Sequence, residues 1–460
     1  MSDPTIPAAT PALPSPSHEI VDHVSEVRLR VRAGSLAELL EEAGRAVAQL
    51  QLRGADASRG TWRVIEVSAP DRAALLADWL NELIYLAEAK RWVGADFEVD
   101  SAEDGRVRAR VWGVLIERAP ALLKAATLHG LRVDDVPRPR LQGPQDVIVA
   151  TRAGALNHLD LFVLGGLPGV THTFPWVMGG DGAGLVETVG EQVTRVKPGD
   201  RVLLNPGVSC GGCDFCLGGE QSLCDTYSLL GEHLPGTLAE AVRVPEANCY
   251  PVPDTVSWEE AAAYPLAFLT AWRLLATKAQ LKAGETVFIW GIGGGVALAA
   301  LAIAKLLGAR TIVTSSSDAK LARAKTLGAD ACINHRAQDV VQEVRRVTDR
   351  KGAEVVVDSV GTKTWETSLK VIARSGRLVS CGATTGPQVT TDVRRMFWHQ
   401  YTIMGSTMGN RREFEAIARL LARGRLRPVV DAVFPMEEAR AAVERLARGE
   451  QFGKIVVRIA

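Results

Sequence analysis

Charge of neither sign dominates this sequence: Lys plus Arg and Asp plus Glu both number 53. A broad electrostatic hold on nucleic acid or acidic membranes is therefore unsupported, because it needs a basic surplus. The first 17 residues, MSDPTIPAATPALPSPS, have neither the basic start nor the apolar core of a secretory signal. Their Pro, Ala and Ser content reads as a disordered leader. No long apolar run survives inspection either. The longest, FIWGIGGGVALAALAIA from Phe288 to Ala304, is broken by glycines into a strand, a turn and a buried helix, and it stops at Lys305. Cysteine is scarce and clustered, with four of the seven between residues 210 and 224. That distribution suits thiolates on a metal in a reducing cytoplasm better than a disulfide frame. No internal repeat stands out.

What is present is apolar substance for several cores. Apolar residues make up 47% of 460, and the length suggests about three folding units. Residues 18–121 read as a small α+β unit. EVRLRVRA alternates with period two, while SLAELLEEAGRAVAQL and DRAALLADWLNELIYLAEAK have helical period, the second opened by Asp71. FEVDSAEDGRVRARVWG is a hairpin turning at Glu103-Asp104-Gly105. Residues 122–258 are rich in strands and turns. From 259 to 395, strands (ETVFIW, RTIVTS, ACINH, AEVVVDSV, GRLVSCG) alternate with helices, the pattern of a parallel, doubly wound sheet. A last helix in FPMEEARAAVERLARG and a closing strand in GKIVVRIA end residues 396–460.

The strand Glu285–Trp290 runs into GIGGGVALAALAIAKLLGA. Gly291, Gly293, Gly294 and Gly295 lie between strand and helix, where close backbone approach lets a pyrophosphate rest on helix N–H groups. The strict six-residue fingerprint fails by one step, and Ala297 takes the place of the last glycine, where close helix–strand packing is the requirement. The next strand ends in Ser315, Ser316 and Ser317, with Lys320 and Arg323 behind. Hydroxyls and a cation suit a 2′-phosphate, so NADP is expected over NAD, with Asp318 pulling the other way.

Cys210, Cys213, Cys216 and Cys224 have the spacing C-x2-C-x2-C-x7-C. Four thiolates close a tetrahedron and leave no position open for water or substrate, so the expected metal is structural. From spacing alone, zinc and an iron–sulfur cluster both remain open.

Through KAATLHGLRVDDVPRP, GDGAGLVETVGEQVTRVKPGDRV, AAAYPLAFLTAW and GKIVVRI, residues 122–460 resemble the medium-chain dehydrogenase/reductase superfamily. The resemblance implies an α/β fold with a GroES-like β-rich catalytic domain (122–258 and 396–460) around a Rossmann domain (259–395). It also implies a cofactor in the cleft between them, a homodimer, and one structural zinc on the four cysteines. Placed on the zinc alcohol dehydrogenases, the three catalytic ligands become Asn157, Gly180-Asp181 and Leu266, and the hydroxyl relay becomes Leu159. One carboxylate does not make a zinc site. The pattern is then similar to the quinone oxidoreductase-like branch: hydride transfer between NAD(P)H and an activated carbonyl, quinone or enone, without a catalytic metal. In that reading Asn157 donates to the developing oxyanion, Asp160 anchors its loop, and His158 faces the pyrophosphate. Trp176, Tyr264, Phe397 and Trp398 are candidate pocket walls or core.

The front segment resembles archease, the protein that supports the RNA ligase of tRNA splicing, through IVDHVSEVRLRV, LLADWLNELIYL and LLKAATLHGL. The family's D-H-T-A-D is here Asp22-His23-Val24-Ser25-Glu26, with Glu26 for a presumed metal-binding Asp. KAATLHGLRV would serve both domains as a strand, and the reductase is expected to own it, leaving a truncated module. Three functions therefore stand: a cytoplasmic metal-free NAD(P)H oxidoreductase, a zinc-type alcohol dehydrogenase, or an archease-like accessory factor with a reductase passenger and an RNA ligase partner.

Overall fold

The computed structural model describes residues 15–22, 27–52, 59–69, 72–103, 105–116, 133–167, 170, 172–173 and 175–459. The chain divides into two compact units, residues 1–130 and 131–460.

In the front unit, β1 (Ser17–Asp22) pairs antiparallel with β2 (Val27–Arg32). After α1 (Leu36–Leu52) come β3 (Thr61–Ser68), α2 (Arg72–Lys90), β4 (Trp92–Glu103) and β5 (Arg106–Leu115). The three last strands form an antiparallel sheet in the order β3-β5-β4. Along β5, Val107, Ala109 and Val111 are buried while Arg106, Arg108 and Arg110 are exposed, the period-two signature of a sheet with one covered face. Leu40 on α1 and Leu75, Trp79 and Leu83 on α2 fill that face. Trp79 is fully buried, donates its indole N–H to Leu40 O at 2.9 Å, and meets Phe97 edge-on. Asp71, Asp104, the His23–Glu26 run and residues 117–132, which hold most of the strand claimed by both domains, lie outside the described residues.

The larger unit carries two large sheets and a two-stranded ribbon. Its first comprises β6 (Asp146–Ala155), β7 (Asp181–Val189) and β8 (Arg201–Leu204), with helix α3 (His158–Gly165) between β6 and β7. A ribbon of β9 (Gly207–Val208) and β10 (Ser228–Leu229) flanks the short helix α4 (Asp214–Leu217). Then follow β11 (Ala241–Pro245), β12 (Cys249–Pro251), α5 (Trp258–Ala262), α6 (Pro265–Trp272) and a π-helical turn, Arg273–Lys278.

The second sheet is entirely parallel: β13 (Thr286–Ile289), β14 (Arg310–Ser315), β15 (Ala331–Asn334), β16 (Ala353–Val357), β17 (Ile372–Ser380) and β18 (Thr402–Gly405). Helices α7 (Gly295–Leu306), α8 (Asp318–Thr326), α9 (Val340–Val347) and α10 (Trp365–Val371) connect its strands, and α11 (Val393–His399) precedes β18. The order is β15-β14-β13-β16-β17-β18. The five expected strands are all there, and β18 extends the sheet past residue 395. The chain leaves β13 toward β14 and β15, then returns to the opposite side of β13 as β16. Such a reversal opens a crevice at the carboxyl ends of β13 and β16.

After α12 (Arg411–Ala422), the chain rejoins the first sheet with β19 (Val430–Pro435), helix α13 (Ala439–Ala447) and β20 (Lys454–Arg458). That sheet runs β12-β8-β7-β6-β20-β19, with β11 also on β6. Strand β6 therefore lies between β7 and β20, which brings residues near 155, 181 and 454 to one end of the sheet. Among the described residues no helix is long and apolar enough to cross a membrane.

Candidate active site and metal centre

The glycine-rich turn closes β13 onto α7. Gly291 (φ +67°) and Gly293 (φ +124°) have backbones that L side chains resist. The turn is tied to the end of β14: Gly291 N donates to Thr314 Oγ1 at 3.3 Å and Ile292 N to Thr314 O at 2.7 Å. Gly294 is the N-cap of α7 and has no side chain to satisfy the first helical N–H groups, and Gly295 and Ala297 follow on the first turn. Those donors point where an anion can use them. A cavity of about 670 Å³ opens alongside, lined by Trp290, Gly291, His335, Val360, Thr364 and Thr385 among others.

At the end of β14, Ser315 is buried and its hydroxyl accepts the Ser317 N–H, while Ser316 is exposed. Lys320 arches over the glycine turn, with Cδ 3.1 Å from where a Cβ on Gly293 would stand and Nζ donating to Gly449 O at 2.6 Å. Arg323 turns away: it pairs with Asp431 and stacks on Phe452, 4.2 Å from the ring centre.

Asn157, Asp160 and His158 begin α3 just beyond β6. The Asp160 carboxylate accepts the Asn157 N–H at 2.7 Å and the Gly179 N–H at 3.1 Å. The first bond closes the start of α3, and the second ties it to the loop before β7. Burial pushes the Asp160 pKa up to about 6, against the pull of the Asn157 N–H and of Lys454. His158 is exposed and meets Phe162 edge-on, yet the protein packed around it lowers its pKa, with the Lys454 charge adding to that.

The three places where the zinc-enzyme pattern puts metal ligands do converge. They meet on the fully buried Asp181. Its Oδ1 accepts the Leu266 N–H at 2.7 Å, and its Oδ2 accepts the Asn157 amide at 2.9 Å. Gly180 offers no ligand, and a Cβ built there meets Leu230, Leu266 and Pro206. The fourth member of this cluster, Lys454, was not singled out from sequence. Its ammonium donates to Asp181 Oδ2 at 2.8 Å and Asn157 Oδ1 at 2.5 Å, and its side chain is 4% exposed. The only hint in the sequence is a charged residue opening a strand whose next three residues are apolar. The donor that Asn157 was expected to offer a substrate is engaged here: its amide also reaches Ala155 O at 3.4 Å.

The sulfurs of Cys210, Cys213, Cys216 and Cys224 lie within 4.8 Å of one another. Gly212 N and Cys213 N donate to Cys210 Sγ, and Cys210 N donates to Cys224 Sγ. Backbone N–H groups aimed at sulfur favour thiolates, so donor set and surroundings fit a tetrahedral metal. Among the described residues, this is the one group of three or more His, Cys, Asp or Glu side chains close enough to hold a metal.

Of the expected wall residues, Tyr264 is core: it is fully buried, stacked on Phe268, and bonded to Ile417 O. Trp176 bonds Gly231 O, and Phe397 and Trp398 stand exposed on α11.

Comparison with known proteins covers nearly the whole described chain. The profile of the zinc-binding dehydrogenases matches residues 295–423, and that of the alcohol dehydrogenase GroES-like domain matches residues 143–254. The archease protein family matches residues 18–142. An NAD-dependent alcohol dehydrogenase of Sulfurisphaera tokodaii is 32% identical over 71% of this chain and 96% of its own. A quinone oxidoreductase of Pseudomonas aeruginosa is 33% identical over 70% of this chain and 93% of its own. A crystal structure of an NAD-dependent alcohol dehydrogenase superposes with a TM-score of 0.68 at 44% identity, covering 71% of this chain and 95% of that one.

Proposed function

Because the chain belongs to the zinc-binding alcohol dehydrogenase and quinone oxidoreductase-like family of medium-chain NAD(P)-dependent oxidoreductases, with an archease domain fused ahead, we propose that it reduces an activated carbonyl, quinone or enone without a catalytic metal. The observation that carries this reading is Asp181. In place of a ligand set with an open position, its carboxylate is closed off by Leu266 N, Asn157 and Lys454. Without a Lewis acid, a simple ketone or alcohol is poorly polarised, which favours substrates that are already electron-poor.

The geometry supports a set of roles for the chain's residues in this reading. The Gly291–Gly295 turn and the free N–H groups of α7 would hold the pyrophosphate, with Lys320 and the exposed Ser316 on the 2′-phosphate side, so NADP is preferred over NAD. Bound, the nicotinamide supplies the hydride. Asp160 fixes Asn157 and Gly179 at the reacting end of the cleft. Cys210, Cys213, Cys216 and Cys224 would hold one zinc that braces their loop and touches no substrate. The cytoplasm is the expected compartment and a homodimer the expected assembly. A second reading, association with an RNA ligase, rests on the archease match alone.

The test is NADPH and NADH oxidation against quinones, enones, aldehydes and simple alcohols, with zinc counted on the same sample. Turnover of the activated compounds with one zinc per chain supports the proposal. Two zincs with oxidation of plain alcohols would replace it with the zinc-type dehydrogenase.

A further inference from the structure

Away from the cleft, one cluster of side chains in the front unit is bonded in a way that a single protonation state satisfies. His18 stands on β1, and its ring lies against α1 with both nitrogens engaged. Nδ1 is 2.8 Å from Glu42 Oε1, and Nε2 is 2.7 Å from Gln49 Oε1. A carboxylate oxygen and an amide oxygen only accept, so each ring nitrogen must carry a proton. The ring that fits is the imidazolium. The second oxygen of Glu42 accepts from Arg45 at 3.1 Å, which commits that carboxyl to its ionised form. Arg45 also bonds Glu41 at 3.2 Å, and Glu41 Oε1 accepts the Val99 N–H of β4 at 2.9 Å.

His18, Arg45, Glu41 and Glu42 balance in charge when the ring is protonated and are left with one surplus negative charge when it is not. The His18 and Glu42 side chains are 21% and 13% exposed, so salt screens the pair less than it would at an open surface. Hydrogen bonds to Gln49 and then to Glu42 raise the His18 pKa above the ordinary 6.5, with burial opposing them. The bond to His18 in turn holds the Glu42 carboxyl below the ordinary 4.5. On β2 the residue opposite His18 is Val31, and no charge from that strand acts on the ring among the described residues. A raised histidine contributes fully below pH 6.5, and its share is lost as pH climbs through the folded value. A lowered carboxyl contributes fully above pH 4.5, and its share is lost as pH falls through the folded value. Both shares are complete only between those two limits.

The element this cluster holds is the first hairpin. Strands β1 and β2 pair with each other and with no other strand among the described residues, and α1 is the helix they lie against. Leu29 and Val31 on β2 pack onto the core of the front unit. With no ladder to the β3-β5-β4 sheet, the hairpin is held by packing and by side-chain bonds. Those of His18 reach from Glu42 to Gln49, two turns of α1. We propose that His18 is a proton-operated clasp for this hairpin. Protonated, it docks β1 on α1; deprotonated, it lets the hairpin part from the helix and uncovers the apolar surface beneath Leu29 and Val31. The archease match opens at His18, so that unit presents a different surface on either side of the titration. The clasp does not depend on the reductase reading.

The experiment compares the full-length wild type with His18→Gln, Gln49→Glu and Gln49→Leu across the titration of histidine. With the histidines labelled at Cε1, the His18 resonance is the one missing from His18→Gln, and its midpoint should lie above 6.5. Gln49→Glu sets a carboxylate against Nε2 and should move that midpoint up; Gln49→Leu removes the acceptor and should move it down. Amide exchange of residues 17–22 and 27–32, corrected for its intrinsic pH dependence, should lose protection as pH passes the same midpoint. His18→Gln should show no such step. Exchange in β3, Thr61–Ser68, should stay constant throughout, which distinguishes a released hairpin from an unfolded unit. A midpoint at or below 6.5 would mean that the Gln49 amide turns its NH2 toward a neutral ring, and would overturn the clasp. A raised midpoint with no matching step in exchange, or a step that persists in His18→Gln, would overturn it equally.

Discussion

Arg273 and Glu413, 140 residues apart, face each other at 3.0 Å with side chains only 2% and 7% exposed. The guanidinium also bonds Glu220, which lies between Cys216 and Cys224, while Glu413 caps its own helix by accepting the Asn410 N–H. One buried pair thus connects the π-helical turn after α6, the start of α12 and the cysteine loop. Removing one member of such a pair strands the other. Arg273→Met should destabilise the larger unit by about 3–5 kcal/mol, read as a shifted urea midpoint, and should speed the loss of metal to a chelator.

The cysteine centre should matter for stability and little for chemistry. Cys216→Ser should lower the metal content below the wild-type value and lower the unfolding midpoint. The fraction that stays folded should keep its turnover number. Turnover that vanishes with the metal in a folded sample and returns on adding zinc would contradict a purely bracing role.

Gly291 separates ligand binding from folding. An added Cβ there meets nothing within 4 Å, so the cost of Gly291→Ala to the fold is the left-handed backbone alone, about 1–2 kcal/mol. A pyrophosphate lying on the turn would feel that methyl group. NADPH affinity should fall about tenfold or more, equivalent to about 1.4 kcal/mol, measured by titration on a protein whose melting temperature is only slightly lower.

Asp160 gives stability a pH dependence of predictable sign. Its carboxyl rises from an ordinary 3.8 to about 6 in the fold, chiefly through burial. A raised folded pKa means that the contribution is complete below about pH 4 and is lost as pH climbs through about 6, with an amplitude on the order of 3 kcal/mol. The wild-type stability minus that of Asp160→Asn should therefore decline from pH 4 to pH 7. A flat difference would show that the carboxyl titrates normally.

Much of this was legible because the signals are local. The five strands between Glu285 and Gly382, the glycine turn and the hairpin of the front unit each follow from period and punctuation within about fifteen residues. The four cysteines declared themselves by spacing alone. Lys454 did not, since its partners Asn157 and Asp181 stand 297 and 273 residues upstream, and only the pairing of β20 with β6 unites them. Asn157 reads as a donor in a loop, but its bonds depend on Asp181 across the strand and on Lys454 across the sheet. Arg273, in a run that looks like ordinary amphipathic helix, was silent for the same reason. Tyr264 looked like a possible wall because an aromatic near a domain boundary can face either way, and the hydrogen bond to Ile417 turns it inward.

Strand β6 finds one neighbour in β7, a few dozen residues later, and shares its other flank between β11 and β20, the second of which arrives after the whole parallel sheet has been made. During synthesis on the ribosome, β11 can cover residues 146–150 of that flank early, but the end from Ala153 to Ala155 stays bare while some three hundred residues emerge, and at usual elongation rates this lasts on the order of tens of seconds. The nascent chain can assemble the glycine turn long before Asp181 meets Lys454, so a premature stop upstream of Lys454 would release a product that is largely folded, with part of one strand edge unpaired and open to other strands.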